Sequence, residues 1–191
     1  MANTNSPFGF SQYSGNGSAP TYEQVAALIV SSGTTAIFSG DPVENDANGY
    51  IIRGTGTSTI AGIFVGCQYL SVSQKRTVWS NYWPGSDNSG NVTAYIVNDP
   101  NARWVAQSDA TGLTQAAVNA NIGYAIGTGN TANGLSGAYL DASTINTTAT
   151  LPFRVIGLVT NPPGAPGTEA GAYNRVVVAF NSVATKQLTG I

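Results

Sequence analysis

Apolar positions are densest between residues 50 and 98. Residues 60–70 (IAGIFVGCQYL) form a long apolar run, followed by an aromatic-rich crossing at 78–85 (VWSNYWPG). A second apolar run, 92–100 (VTAYIVNDP), stops at a turn. Taken as a strand of period two, the first run places Ala61, Ile63, Val65, Cys67 and Tyr69 on one face. Ile60, Gly62, Phe64, Gly66, Gln68 and Leu70 then share the other. Both faces are largely apolar, so neither suits water, and the β-branched and aromatic content argues against a helix. The pattern predicts a buried strand inside a layered structure.

The remaining elements are shorter. Residues 35–39 (TAIFS) lead into Gly40-Asp41-Pro42-Val43, a turn whose Pro is preset for it, and residues 46–49 (DANG) turn into 50–53. Residues 103–108 (RWVAQS), 152–159 (PFRVIGLV) and 174–181 (NRVVVAFN) read as strands, the last with Val176, Val178 and Phe180 on one face. Residues 113–126 begin like one helical turn and end with strand-like alternation. Residues 127–137 (GTGNTANGLSG) are expected to be a glycine-rich loop, and 161–171 a Pro/Gly loop. One short helix is expected over 22–31. There Thr21 and Gln24 have the spacing of a capping box, and Val25, Leu28 and Ile29 make a stripe. The run 27–30 also suits a strand, its propensities being close to balanced. No fixed-period repeat and no linker divides the chain. The fold class is therefore mainly β, a β-sandwich or barrel of short antiparallel strands, in a single domain over 21–191.

Residues 1–20 (MANTNSPFGFSQYSGNGSAP) precede it as an extended N-terminal arm. Their polar matrix predicts a segment with no core of its own. Phe8, Phe10 and Tyr13 punctuate it at intervals that suit anchors docking on a neighbour, a floppy end being the other reading. These three are the candidate partner-binding residues. Deletion of 1–20 is expected to weaken docking and leave the domain folded.

Charge changes the picture more than any other part of the composition. Hydrophobic residues at 42% supply an ordinary core for 191 residues, but charged residues make only 8%, against about 25% in an average soluble domain. The polar surface must then be Thr, Ser, Asn and backbone, which resists aggregation poorly when exposed. Covering it with partner subunits is one remedy; a secreted Thr/Asn-rich domain is the plainer alternative. Seven basic residues, spread from Arg53 to Lys186, leave no stripe for phosphates, so no nucleic-acid partner is expected. No apolar run approaches the roughly 20 residues of a membrane span, and no charged stretch followed by an apolar block marks a secretory signal. The sequons at Asn16, Asn91 and Asn146 then carry no weight. The single cysteine, Cys67, reads as a small core residue.

Candidate chemistry is thin. The chain has no His, which removes Ser–His and Cys–His pairs, imidazole metal sites and the usual base near neutral pH. Gly134-Leu135-Ser136-Gly137-Ala138 resembles a nucleophile elbow in part, with Ala138 where the second Gly belongs. Gly54-Thr55-Gly56 and Gly127-Thr128-Gly129 lack the spacing of phosphate loops. Asp41, Asp87, Asp99 and Asp141 sit in turn contexts, where Asp bonds nearby backbone. Asp41, Glu44 and Asp46, with Asn45 and Asn48, are a candidate oxygen cage for calcium without the order of an EF-hand loop. Trp79, Tyr82, Trp83 and Trp104 are either a stacking platform for sugars or core and interface residues. No catalytic residue, cofactor or metal is assigned, and the chain is expected not to be an enzyme.

Several of these segments together resemble a family of small structural proteins that decorate or cement the icosahedral heads of tailed bacteriophages. The residues that carry the resemblance are Gly40-Asp41-Pro42-Val43, GIFVGCQYL at 62–70, SNYWPG at 80–85 and YIVNDPNARW at 95–104. The block NIGYAIGTGNTANGLSGAYLDASTINTTATLPFRVIGLV at 121–159 follows them in order. The resemblance covers most of the chain from Gly40 onward and little of the first forty residues. It implies a non-enzymatic decoration or cement protein on the capsid exterior of the virion, assembled in a host cytoplasm. The major capsid protein is the implied partner, and a homo-oligomer, with a trimer favoured, the implied state. The competing expectation is a carbohydrate-binding or adhesive β-module with Trp79, Trp83 and Trp104 as its platform, and a hydrolase built on a carboxylate pair is the third.

Overall fold

The computed structural model describes residues 3–14 and 23–186. The longest apolar run forms β6 (Gly62–Ser71), the central strand of a six-stranded antiparallel sheet. The order is β2 (Val25–Ile29), β9 (Val92–Val97), β6, β4 (Pro42–Asn45) and β5 (Ile51–Arg53). Strand β7 (Arg76–Ser80) pairs with β6 further along the edge that β4 occupies. The β6–β9 ladder shifts register between Phe64 and Gly66, a β-bulge. One extra residue reverses the alternation. Ile63 and Val65 face one core, whereas Phe64, Cys67 and Tyr69 face the other. The strict period-two grouping of Ile63 and Val65 with Cys67 and Tyr69 is corrected by that bulge.

A second six-stranded antiparallel sheet is ordered β1 (Ser11–Ser14), β10 (Arg103–Gln107), β14 (Arg175–Phe180), β13 (Phe153–Leu158), β11 (Asn121–Asn130) and β12 (Leu135–Asn146). Its inner face, with Trp104, Val178, Phe153, Ile122 and Leu140, packs on Ile63 and Val97 of the first sheet to make the larger core. A two-stranded ribbon of β3 (Ile37–Phe38) and β8 (Tyr82–Trp83) closes the opposite face of the first sheet. Ile37 and Trp83 join Val43, Phe64, Cys67 and Val92 there. The fold is mainly β, with antiparallel sheets packed as a sandwich, as the pattern predicts.

Three local expectations meet the structure differently. Over 113–126 both halves hold: a single 3₁₀ turn (Gln115–Ala117) precedes β11. The short helix at 22–31 is a strand over Val25–Ile29, paired residue by residue with β9 from Val25↔Ile96 to Ile29↔Val92. Five residues of balanced propensity follow the ladder that a neighbouring strand offers, because tertiary hydrogen bonds outweigh tenths of a kcal/mol of local preference. Thr21 and Tyr22 lie outside the described residues. The glycine-rich stretch at 127–137 is mostly hairpin, pairing Gly127 with Gly137 and Asn130 with Leu135. Its glycines sit where another group lies too close for a side chain: a Cβ on Gly129 would meet the Phe38 ring at 2.3 Å.

The N-terminal segment also departs from expectation. Residues 3–14 are bound to the domain rather than extended from it. The Asn3 amide donates to the carbonyls of Glu169 and Ala172, and Gln107 is bonded to both Ser6 and Thr4. Strand β1 then pairs with β10 as the edge of the second sheet. Deletion of 1–20 would remove this strand and open the core beneath it, so it would not leave the domain intact.

Candidate partner-binding surface

The three aromatic anchors of the arm separate. Phe10 is 3% exposed and belongs to the larger core, its ring stacked on Phe153 at 4.4 Å and meeting Tyr124 edge-on. Its amide also donates to the Gly40 carbonyl. Phe8 is half-buried beneath the Arg175 guanidinium, 5.3 Å from its ring centre. Only Tyr13, 56% exposed, presents its ring outward. The expectation that Phe8 and Phe10 reach a neighbour is corrected. Both are held by their own domain, whose core the arm completes.

The candidate chemical groups are held in structural roles. Ser136 is buried, and its hydroxyl donates to Asp41 Oδ1 at 2.5 Å while accepting the Ala138 N–H. Asp41 Oδ2 accepts the Phe38 N–H at 2.8 Å. Burial is the largest influence on that carboxyl and raises its pKa; the Phe38 amide, the Ser136 hydroxyl and the Arg53 charge pull the other way. Glu44 accepts from the Thr55 amide and the Tyr124 hydroxyl, and Asp46 from the amides of Asn48 and Tyr50. The three acids of the candidate calcium cage thus turn to separate donors. Among the described residues no group of three or more acids, Cys or His converges. The Tyr124 phenol is pushed above its ordinary range, first by burial and then by the adjacent Glu44 carboxylate. A Cβ on Gly54 would overlap that hydroxyl at 1.7 Å, so Gly there lets the phenol bridge the two sheets. Asp99 and Asp141 bond amides two residues on, as their turn contexts predict. Asp87 instead clasps another turn, accepting from the Ser71 hydroxyl and the amide and hydroxyl of Ser73. These bonds, that from Ser71 foremost, hold its carboxyl below the usual range.

The tryptophans do not form one platform. Trp83 is fully buried, meeting Tyr69 edge-on at 5.3 Å, and Trp104 is buried against Phe180. Trp79 alone is exposed, at 56%. It marks a surface that emerges only from the assembled sheets. The face of the first sheet that carries Ile63 and Val97 into the larger core continues outward beyond Val65. By register it next presents Gly66, Gln68 and Leu70 of β6, Thr93 and Tyr95 of β9, Leu28 of β2 and Trp79 of β7. Leu28, Leu70 and Trp79 are each close to half exposed, so the second sheet stops short of them. The Trp79 ring lies over Gly66, where a Cβ would come within 2.7 Å of it, and packs beside Tyr95 at 5.2 Å. Tyr95 in turn donates to Gln68 Oε1. The indole is therefore positioned, not free to swing. No family model, curated protein or solved structure matches this chain.

Leu28, with Val25, is expected from the sequence in the buried stripe of a helix and is instead exposed on the strand, only Ile29 of the three being buried. Trp79 stands out in the sequence only as one member of a Trp/Tyr cluster, and Leu70 and Tyr95 do not stand out as a surface. Their alternation was readable. Which end of the strand lies beyond the opposing sheet was not, because that depends on where the second sheet ends.

Proposed function

We propose that the chain is a non-enzymatic virion structural protein that binds the outer surface of an icosahedral head and stabilises it, a decoration or cement protein. The observation that carries this reading is the overhanging face of the first sheet, an apolar patch centred on a fixed Trp79–Tyr95 pair. Large rigid aromatics flanked by aliphatics are the residues that dominate protein–protein contacts. The motif resemblance supplies the partner, the major capsid protein. The low charge supports contacts made through apolar area and neutral hydrogen bonds. Repetition on a lattice supplies the rest: joining weak sites through a homo-oligomer, with a trimer favoured, raises effective concentration and adds orders of magnitude in avidity. A ligand that binds assembled coat but not separate subunits stabilises the shell by mass action.

Co-sedimentation with empty heads of the cognate coat protein tests the reading. The chain should pellet with heads and not with unassembled subunits. Trp79→Ala should weaken pelleting about 30-fold, the loss of a roughly 2 kcal/mol anchor. Failure to bind heads, or a Trp79→Ala variant that binds undiminished, refutes it.

A further inference from the structure

Four buried side-chain nitrogens among the described residues have no hydrogen-bond partner, and two of them, Gln12 Nε2 and Trp104 Nε1, belong to residues that line the same cleft. Their neighbourhood follows from register. Gln12 of β1 lies directly opposite Trp104 of β10, so both side chains leave the same face of the second sheet. Trp104 is in the larger core, which makes that face the inner one. The cleft, of about 400 Å³, opens at the mouth of the sandwich, with Phe8, Ile63, Val65 and Val97 among its walls. Native proteins leave few buried donors unpaired, and each such N–H forfeits its hydration without return. Two such donors, on residues opposite each other in the β1–β10 ladder and both lining one cleft, mark a place where an acceptor would be bound.

We propose that this cleft receives an extended segment of a partner protein. The segment inserts one aliphatic side chain between the sheets and gives a main-chain carbonyl to the Gln12 and Trp104 N–H groups. The chemistry of the walls selects this occupant. Among the described residues no ionisable one lines the cleft, so a carboxylate or phosphate would be buried without a counter-charge from them, whereas a neutral carbonyl suits N–H donors. The surroundings favour an extended chain. Strand β1 is the terminal strand of the second sheet, and Gln24, which also lines the cleft, immediately precedes β2, the terminal strand of the first. Unpaired sheet edges beside a pocket are how added strands are recognised, with main-chain bonds for affinity and a pocket for a side chain. The inference rests on the preceding reading only in taking the ligand to be protein; the cleft lies at the inner end of the sheet face that carries Trp79 further out.

The test uses the intact ¹⁵N-labelled chain and N-acetyl-leucine N-methylamide, an aliphatic side chain with peptide carbonyls on both sides. The three indole N–H resonances are assigned by single Trp→Phe variants. The Trp104 indole and the Gln12 side-chain amide should shift saturably together, with Trp79 and Trp83 unmoved. Gln12→Leu, which keeps the volume and removes one donor, should retain the Trp104 shift and weaken binding about 3- to 10-fold, the worth of one hydrogen bond. A Trp104 signal that never moves, a shift of Trp79 alone, or an indole N–H that keeps its contact to an ordered water throughout the titration would overturn the proposal. Loss of head binding with the Trp104 shift intact would remove the capsid reading and leave the cleft.

Discussion

Replacing Phe10 with Ala tests how the N-terminal segment is used. The ring is nearly parallel to Phe153, at 12° and 4.4 Å, and sits edge-on to Tyr124 at 6.1 Å, with almost no surface left to solvent. Truncating a buried Phe costs about 3–5 kcal/mol, from lost transfer free energy and the cavity left behind. The lost stacking is part of that figure, about 0.5–1.5 kcal/mol. For a chain of this size each kcal/mol moves the melting temperature by about 2–4 °C, so Phe10→Ala should melt roughly 6–20 °C early. Phe8 covers the Arg175 guanidinium and is only half-buried; Phe8→Ala should cost about 0.5–2 kcal/mol. Tyr13 is exposed, and Tyr13→Ala should stay within about 0.5 kcal/mol of the parent.

Urea melts followed by tryptophan emission, at two protein concentrations tenfold apart, supply the comparison. The expected order is Phe10→Ala far below Phe8→Ala, with Tyr13→Ala near the parent. Because the ring packs within its own domain, the Phe10→Ala deficit should not change with concentration. A deficit under about 1 kcal/mol would refute the packing argument. A deficit that shrinks or grows with dilution would place the ring on a neighbouring copy, restoring the docking arm that the sequence suggested.

Two other perturbations probe the buried polar groups. Asp41→Ala strands the Phe38 N–H and the Ser136 hydroxyl and should cost about 2–5 kcal/mol, whereas Asp41→Asn can accept from one and donate to the other and should fold normally. Its pH dependence has a defined sign. The folded-state pKa of Asp41 is raised, so the native state takes up the proton first as pH falls through that pKa, and charging the group at neutral pH costs stability. The stability of Asp41→Asn relative to the parent should therefore rise from acid toward neutral pH in urea melts, and a flat or falling difference contradicts the burial argument. The Cys67 thiol, fully buried and pushed up to about 12 by that burial, should resist Ellman's reagent at pH 8 until the chain unfolds. Modification at the rate of a free thiol would show that the ribbon over it opens.

Periodicity made β6 legible because both of its faces are apolar, a signal that survives any register. The bulge did not show, since Gly66 reads like any other glycine until Trp79 is found lying on it. The same blindness turned 127–137 into a loop. Glycine there marks close approach by Phe38 and by the facing strand, and sequence records the missing side chain without the group that needs its space. At 25–29 the decision belonged to β9, nearly seventy residues away in the chain. The arm was the subtler case. The spacing of Phe8 and Phe10 announced anchors, and anchors they are, but the surface they grip is their own. Gln12 carried no signal and Trp104 only that of one Trp in a cluster: they become a pair only through the β1–β10 ladder.

These cases bear on how a chain with so little charge gains specificity. The carboxylates that bond backbone or hydroxyl donors, from Asp41 and Glu44 to Asp87 and Asp141, are committed to fixing turns and joining elements. That leaves few ionic groups to steer a partner from a distance or to repel a wrong one. Discrimination must then come from shape and from neutral hydrogen bonds, which act only at contact. Both surfaces proposed above have that character. Trp79 is held against Tyr95 and over a glycine, and the unpaired N–H groups of Gln12 and Trp104 sit on residues paired in one ladder. Rigid placement of few groups substitutes for charge because an anchor already ordered loses little entropy on binding. A donor already desolvated likewise gains nearly a full hydrogen bond when its acceptor arrives.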